Sequence, residues 1–330
     1  MHILYFTPYF NQPRGNSTTS KRIVHFLQKS GIRTSVFPYF EKDPWFLPAI
    51  ESVDVIHILH ATRFLAWAKE NQFVLKRPYI VTMGGTDINS DLQNELSEDV
   101  TNLLYNAVYI VVFTPDAKQK IKNLNIEWVK KVRVIPQSAW LPWDIKEPKQ
   151  TDYPSILLPA GLRPVKDVLH VLPALDEVID LYPRLQFTIL GANLDSSVYQ
   201  QVMEASQTRP WLHYAGVVPF EVMTHWYEEA NIILNTSISE GQSLAVMEAL
   251  AIGRPVIARK NAANEDIIKN KVTGWIYNSM DEFKEALHII MNDPFHRGQV
   301  IQAAREWVKQ HCSPEQEVHQ YIDLYKRAGE

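Results

Sequence analysis

The sequence predicts two tandem α/β units, each a doubly wound parallel sheet, within 330 residues. Three observations carry that prediction. Short β-rich runs alternate with helical patterns along the whole chain, and the alternation pauses once, in a polar, proline-containing stretch at 141–154. Glycines number only 12, and several fall where strands end. A chain of this length also exceeds the usual size of one core.

The first half opens on a strand at 2–6, followed by a loop running through Gly15 and Asn16 and a helix at about 17–29, closed by Gly31. Strand, loop and helix in that order begin a βαβ unit. Further runs at 34–37, 54–59, 79–82, 108–113 and 132–135 are short and largely apolar, as expected of strands covered on both faces. Residues 141–154, LPWDIKEPKQTDYP, have no apolar period and read as an interdomain linker. The second half restarts with a strand at 155–159 and a helix from about 168. Strands come next at 186–190, 212–215, 232–235, 255–258 and 274–277, and helices at 282–291 and 300–310 close the unit. From Pro314 a last helix carries Val318, Tyr321, Ile322 and Tyr325 on one face, and it is expected to pack back on the N-terminal domain. The expected domains are therefore 1–150 and 151–313, with 314–330 as the returning helix.

With 46% apolar and 21% charged residues, the composition is that of a soluble globular protein. A single cysteine, Cys312, excludes an internal disulfide and any multi-cysteine metal site, so a reducing, cytoplasmic location is expected. The opening MHILYFTPYF has neither a basic leader nor a small-residue cleavage site, and no apolar run is long enough to span a bilayer. The net charge of -4 is unevenly divided, with +4 on residues 1–150 and -8 on the remainder. Lys118, Lys120, Lys122, Lys130, Lys131 and Arg133 supply much of the positive excess. Peripheral contact of this basic half with an anionic membrane, an anionic acceptor and a solvated helix face all account for it. Nucleic-acid binding is not expected, because no aromatic stripe accompanies the charges.

The chemistry centres on residues 237–248, SISEGQSLAVME, between a central strand and a helix. Ser243 is placed to cap a helix in which Leu244, Met247, Leu250 and Ala251 recur at helical spacing, and Gly253 and Pro255 end it. Open α/β sheets bind ligands beyond the carboxyl ends of their strands, and a helix N-terminus attracts anions. A phosphate would therefore suit Gly241, Gln242, Ser243 and Leu244. Glu240 lies in the loop and Glu248 about a turn and a half into the helix, roughly 10 Å away at 1.5 Å rise per residue. That is too far for the two to share a proton. Two readings are open: separate clamps for two hydroxyls of one ligand, or acids near the favourable end of a helix dipole. Arg163 and Lys166, in AGLRPVKD after the first strand of the second half, are placed either to neutralise a diphosphate or to sit in a solvated turn.

GLRPVKD, with SEGQSLAVMEALAIGRPVIA about 75 residues later, resembles the signature of the family 4 glycosyltransferases. These are retaining enzymes of the GT-B fold, with two Rossmann-like domains facing across a cleft that holds the active site. In the first half, GNSTTSKR (15–22) and MGGTD (83–87) resemble the acceptor-side loops. The nearest subgroup is the small glycosyltransferase 1 domain-containing type, and a bacterial selenosugar synthase group has comparable segments. The resemblance implies a nucleotide-diphosphate sugar as donor, a UDP-sugar being favoured, and an acceptor it does not identify. Arg163 and Lys166 would hold the diphosphate, with backbone N–H groups of Ser243 and Leu244. Glu240 would bind the donor sugar near its 3-hydroxyl, and Glu248 the ribose. Gly15 and Asn16 would close over the diphosphate, and His60, Gly85 and Asp87 would lie on the acceptor or sugar side. Retention implies same-face attack assisted by the leaving phosphate, with no carboxylate nucleophile, metal or further cofactor.

Three departures from the family pattern stand out. Gly84 occupies the place of a histidine that contacts the donor sugar, which leaves His57 and His60 as candidate substitutes. Gln242 and Ser243 replace Phe-Gly, and Asp167 comes after Lys166 where glycine is usual. Selenosugar or thiosugar synthesis, epimerisation, hydrolysis and a non-catalytic sugar-nucleotide binding role stay open as alternatives.

Overall fold

A computed structural model of the protein describes residues 1–12, 14–94, 96–142, 151–219 and 222–330. By its internal contacts the chain divides into two units, one of Met1–Ser138 with Cys312–Glu330 and one of Ala139–His311. Residues 143–150, most of the expected linker, lie outside the described residues.

The first unit is built on six parallel strands, β1 (His2–Thr7), β2 (Arg33–Pro38), β3 (Val55–Leu59), β4 (Tyr79–Thr82), β5 (Tyr109–Val112) and β6 (Val132–Val134), in the order β2-β1-β3-β4-β5-β6. Ile3 is in register with Thr34 on one side and Val55 on the other. The strands β1, β3 and β4 are buried along their whole length, which explains why they read as unbroken apolar runs. Their cover comes from α1 (Gly15–Lys29), α2 (Ala61–Glu70), the single turn α3 (Leu92–Asn94), α4 (Glu98–Asn106) and α5 (Pro115–Leu124). Phe6, Phe37, Phe64 and Trp67 interlock edge-on and tilted at the centre of this core.

The second unit repeats the plan with β7 (Ser155–Pro159), β8 (Gln186–Leu190), β9 (Leu212–Gly216), β10 (Ile232–Asn235), β11 (Val256–Arg259) and β12 (Trp275–Tyr277), in the order β12-β11-β10-β7-β8-β9. Its helices are α6 (Leu172–Val178), α7 (Ser196–Thr208), α8 (Met223–Glu229), α9 (Leu244–Ile252), α10 (Ala262–Ile267), α11 (Met280–Asn292) and α12 (Pro294–His311). The strand order reverses where β7 meets β10, and such a switch point leaves a crevice at the carboxyl ends of the two strands. The backbones leaving β7 and β8 come unusually close. A Cβ on Gly191, just beyond β8, would lie 2.2 Å from the carbonyl oxygen of Ala160, so only glycine fits.

Two helix starts differ from the sequence reading. α1 begins at Gly15, because Arg14 is extended (φ -135°) and its carbonyl accepts from Ser17 and Thr18, which places Gly15 and Asn16 in the first turn instead of a loop. α6 begins at Leu172, four residues later than expected, because Pro164–Lys166 forms a 3₁₀ turn and Asp167 then takes a left-handed conformation (φ 42°).

The last helix, α13 (Pro314–Gly329), is capped by Ser313 and belongs to the first unit, where it packs on α1, β3 and β4. Val318, Tyr321 and Tyr325 are buried there. Beneath it, His57 bonds the Tyr325 hydroxyl through Nδ1 (2.6 Å) and the Thr82 hydroxyl through Nε2 (2.7 Å). Burial pushes the pKa of His57 down to about 3. Since the unfolded chain takes up that proton near pH 6.5, the stability contributed by the neutral ring is complete above pH 6.5 and is lost as the pH falls toward 3. The expected loss from this residue between pH 6.5 and 5 is about 2 kcal/mol. Urea unfolding at both pH values should show a loss on acidification that is smaller by about this amount in His57→Asn than in the native protein.

Candidate active site

The candidate site of the second unit lies at the switch point, where the loops leaving β7, β10 and β11 are tied together. The loop after β7 brings Arg163, half-buried, to the start of the 3₁₀ turn, and Lys166 ends it with its N–H on the Arg163 carbonyl (2.9 Å). The loop after β10 is held against this turn by two bonds, Thr236 Oγ1 to the Lys166 carbonyl (2.7 Å) and Ile238 N to the Val165 carbonyl (2.9 Å).

These bonds bring together two residues 74 positions apart: Lys166 Nζ lies 2.5 Å from Glu240 Oε1, with side-chain exposures of 15% and 11%. The same carboxylate oxygen accepts from Ser237 Oγ (2.7 Å) and Asn235 Nδ2 (3.3 Å). Burial alone would raise the Glu240 carboxyl. The Lys166 ammonium and the three donated hydrogen bonds outweigh it and hold the group below its ordinary value, so it is ionised at neutral pH.

Asn235 ties this carboxylate to the start of α9. Its amide also donates to Ser243 Oγ (3.0 Å), while its carbonyl accepts from Ser237 N (3.1 Å) and Asn264 Nδ2 (3.1 Å). Ser243 stands at the N-cap position of α9, but its hydroxyl does not accept from the first turn of the helix. The expected side-chain cap is therefore absent, because that hydroxyl serves Asn235, and the first-turn N–H groups are left to other acceptors. Gly241, Gln242 and Leu244 are half-buried around the helix start. Glu248 is 7% exposed inside α9 and accepts from the Tyr227 hydroxyl (2.8 Å). Glu240 and Glu248 thus have separate partners.

In the first unit, Asp87 is fully buried, and its carboxylate accepts from the N–H groups of Gly84 (3.0 Å), Gly85 (2.9 Å), Ile88 (3.0 Å) and Ala61 (3.2 Å). It shapes the turn after β4 and caps α2, and Gly85 supplies the positive φ (110°) that the turn requires. His60 precedes α2 with φ 75°, is 1% exposed, and has Nδ1 3.7 Å from Asp87. Burial lowers its pKa against the pull of Asp87. A side chain at position 84 would meet the His60 ring at 3.1 Å and Asn16 Oδ1 at 3.6 Å. His60 and Asn16 thus leave little room for a side chain at position 84. Gly15, Asn16, His60, Gly84, Gly85 and Asp87 therefore belong to one corner of the first unit, while His57 is a core residue under α13.

Of the six cations in the basic run, Lys120 bonds Asp116 and Asn89, while Lys131 and Arg133 donate to backbone carbonyls. Among the described residues, no three His, Cys, Asp or Glu side chains gather as metal ligands, and no helix is long and apolar enough to cross a membrane.

The sequence pattern described as Glycosyl transferases group 1 matches residues 142–307, about half of the chain. This chain belongs to that glycosyltransferase family. The group 1 match covers the loops after β7, β10 and β11, where the Lys166–Glu240 pair is found. Glycosyltransferase 1 domain-containing protein 1 of Xenopus tropicalis is 27% identical over 334 aligned positions, covering 94% of this chain and 93% of that protein. Sucrose-phosphate synthase of Thermosynechococcus elongatus superposes with a TM-score of 0.77 at 16% identity, over 99% of this chain and 98% of the other. Anabaena HepE, solved with UDP-glucose, does so with a TM-score of 0.75 at 14% identity, over 99% and 100%. The fold of this group 1 member is GT-B, two Rossmann-like parallel-sheet domains.

Sequence reasoning missed Asn235, Asn264 and Arg259. A signal for the first was present: a polar amide ending the apolar strand IILN must find partners when buried.

Proposed function

We propose that the protein is a retaining, metal-independent hexosyltransferase of family 4 that works in the cytoplasm and draws on a nucleoside-diphosphate sugar, most favourably a UDP-sugar. The observation that carries this reading is the Lys166–Glu240 pair, held at the carboxyl edge of the second sheet beside the start of α9. A half-buried cation and anion, in loops that leave neighbouring strands, meet two needs of such a donor. Lys166 and Arg163 offset charge on the diphosphate, and Glu240 accepts from a sugar hydroxyl. Backbone N–H groups at Ser243 and Leu244 assist at the phosphates, and Glu248 receives the ribose in place of the Tyr227 hydroxyl.

In the proposed reaction the bond from the anomeric carbon to the diphosphate oxygen breaks, and the acceptor nucleophile bonds to that carbon on the same face. Its proton passes to the departing phosphate oxygen. The first unit would present the acceptor, with His60 and Gly85 on the acceptor or sugar side and Asp87 acting through the loop it organises, while Gly15 and Asn16 would serve the donor diphosphate.

A thermal-shift comparison of UDP, GDP and ADP tests the donor. UDP at about a hundred times its dissociation constant should stabilise the folded state by about 2.7 kcal/mol, with the other two well below it. Equal or absent shifts for all three would remove the UDP assignment. Incubating UDP-glucose with and without sugar, thiol and selenide acceptors, and identifying the products, separates transfer from hydrolysis and epimerisation.

A further inference from the structure

The turn that carries Lys166 ends on Asp167, the only residue of the described part of this loop with a left-handed backbone (φ 42°, ψ 49°). An L-residue enters that region at a cost. Asp167 Oδ2 accepts from Arg259 Nη1 at 2.7 Å and lies 3.2 Å from His170 Nδ1. Arg259 is the last residue of β11, and its carbonyl accepts from Asn264 Nδ2 (2.8 Å), which also bonds Asn235 (3.1 Å). Asn235 in turn bonds Glu240.

Lys166 and the residue after it are thus fastened to different strands. Thr236, just past β10, holds the Lys166 carbonyl, and Arg259 holds the Asp167 side chain from β11. Neither Asp167 nor Arg259 has a described contact with Glu240 or with the first turn of α9. Described routes from them to the Lys166–Glu240 pair run through the backbone of the turn, through Arg259 Nη1 and the Thr236 carbonyl (3.5 Å), and through Asn264 and Asn235.

We propose that Asp167 and Arg259 form a positioning pair that locks the left-handed turn and so fixes where the Lys166 ammonium stands; this rests on the reading that Lys166 meets the donor diphosphate. A lysine side chain has many rotamers; a turn fixed at two points gives them one origin, from which the Glu240 contact holds the ammonium in one place. The pair would act on diphosphate affinity through the placement of Lys166.

UDP titration calorimetry on the full chain tests this with Lys166→Met, Asp167→Asn, Asp167→Gly, Arg259→Met and combinations of them. Lys166→Met should weaken UDP about tenfold or more, as expected for one charge-assisted contact. Asp167→Asn and Arg259→Met should each weaken it severalfold, and the Asp167→Asn, Arg259→Met double variant no further than either. Asp167→Gly, which takes the left-handed turn without strain, should resemble Asp167→Asn, and it serves in its place if that variant does not fold. Added to Lys166→Met, Asp167→Asn should cause no further loss, whereas a general weakening of the domain would. Unchanged UDP affinity in Lys166→Met overturns the donor-site reading and this inference with it. A weakened Lys166→Met beside native affinity in Asp167→Gly and Arg259→Met overturns the inference alone, as does an additive loss on the Lys166→Met background.

Discussion

Lys166→Met is expected to lower the rate of donor turnover by about 10²–10³-fold, the usual effect of removing one preorganised group that meets developing charge. The loss should exceed that of a simple cation deletion, because the substitution leaves the ionised Glu240 behind, accepting from Ser237 and Asn235. A carboxylate without its counter-ion would repel the diphosphate of a bound donor. Glu240→Gln should also reduce turnover strongly, since an amide accepts a sugar hydroxyl less well than a carboxylate. The double variant should be no slower than Lys166→Met while being more stable than it, because no stray charge remains buried. UDP release from UDP-glucose reports the rates, and unfolding in urea reports the stabilities. Native rates in both single variants would remove the pair from the site.

Glu317→Ala is expected to destabilise the protein by about 3–5 kcal/mol, a large share of the about 5–15 kcal/mol that holds a typical domain together. Glu317 on α13 takes Arg22 Nε at 2.8 Å and Nη2 at 2.9 Å in a two-point grip, both side chains being 1% exposed. The Ser138 hydroxyl and N–H complete the carboxylate's shell, and Arg22 also reaches Gln137 (3.2 Å). Truncation would leave the Arg22 guanidinium buried with one remaining amide contact. Combining Glu317→Ala with Arg22→Met should recover much of the loss, because the largest penalty belongs to the abandoned charge. Urea midpoints at pH 7 measure both. A loss under about 1 kcal/mol for the single variant would mean that the pair is solvated in practice.

The parallel sheets were legible because their strands are buried on both faces and read as apolar runs with turn residues between them; β4, β7, β8 and β10 span the same residues in sequence and structure. Helix starts were harder. Gly15 signals a loop by composition, yet the extended Arg14 before it allows the helix to begin there. Ser243 carries an N-cap signal, but a long-range amide from Asn235 takes its hydroxyl. The candidate site was legible as charged residues at strand ends, since Arg163, Lys166 and Glu240 lie in loops whose ends the strands fix. What binds them to one another was not. The contacts of Asn235, Asn264 and Arg259 join residues from separate strands, and only the order of strands in the sheet makes them neighbours.

The return of α13 to the first unit has a consequence for the order of biosynthesis. Residues 139–311 leave the ribosome as one uninterrupted set and can complete their core as soon as they emerge. The first unit is synthesised earlier but finished later, because the helix that covers β3, β4 and α1 is translated after the whole second unit. Until then Arg22 lacks the Glu317 carboxylate and His57 lacks the Tyr325 hydroxyl. The usual vectorial order, amino-terminal domain first, is reversed for the final packing step. Translational pauses within 139–311 would therefore prolong the exposure of the first unit's unfinished face.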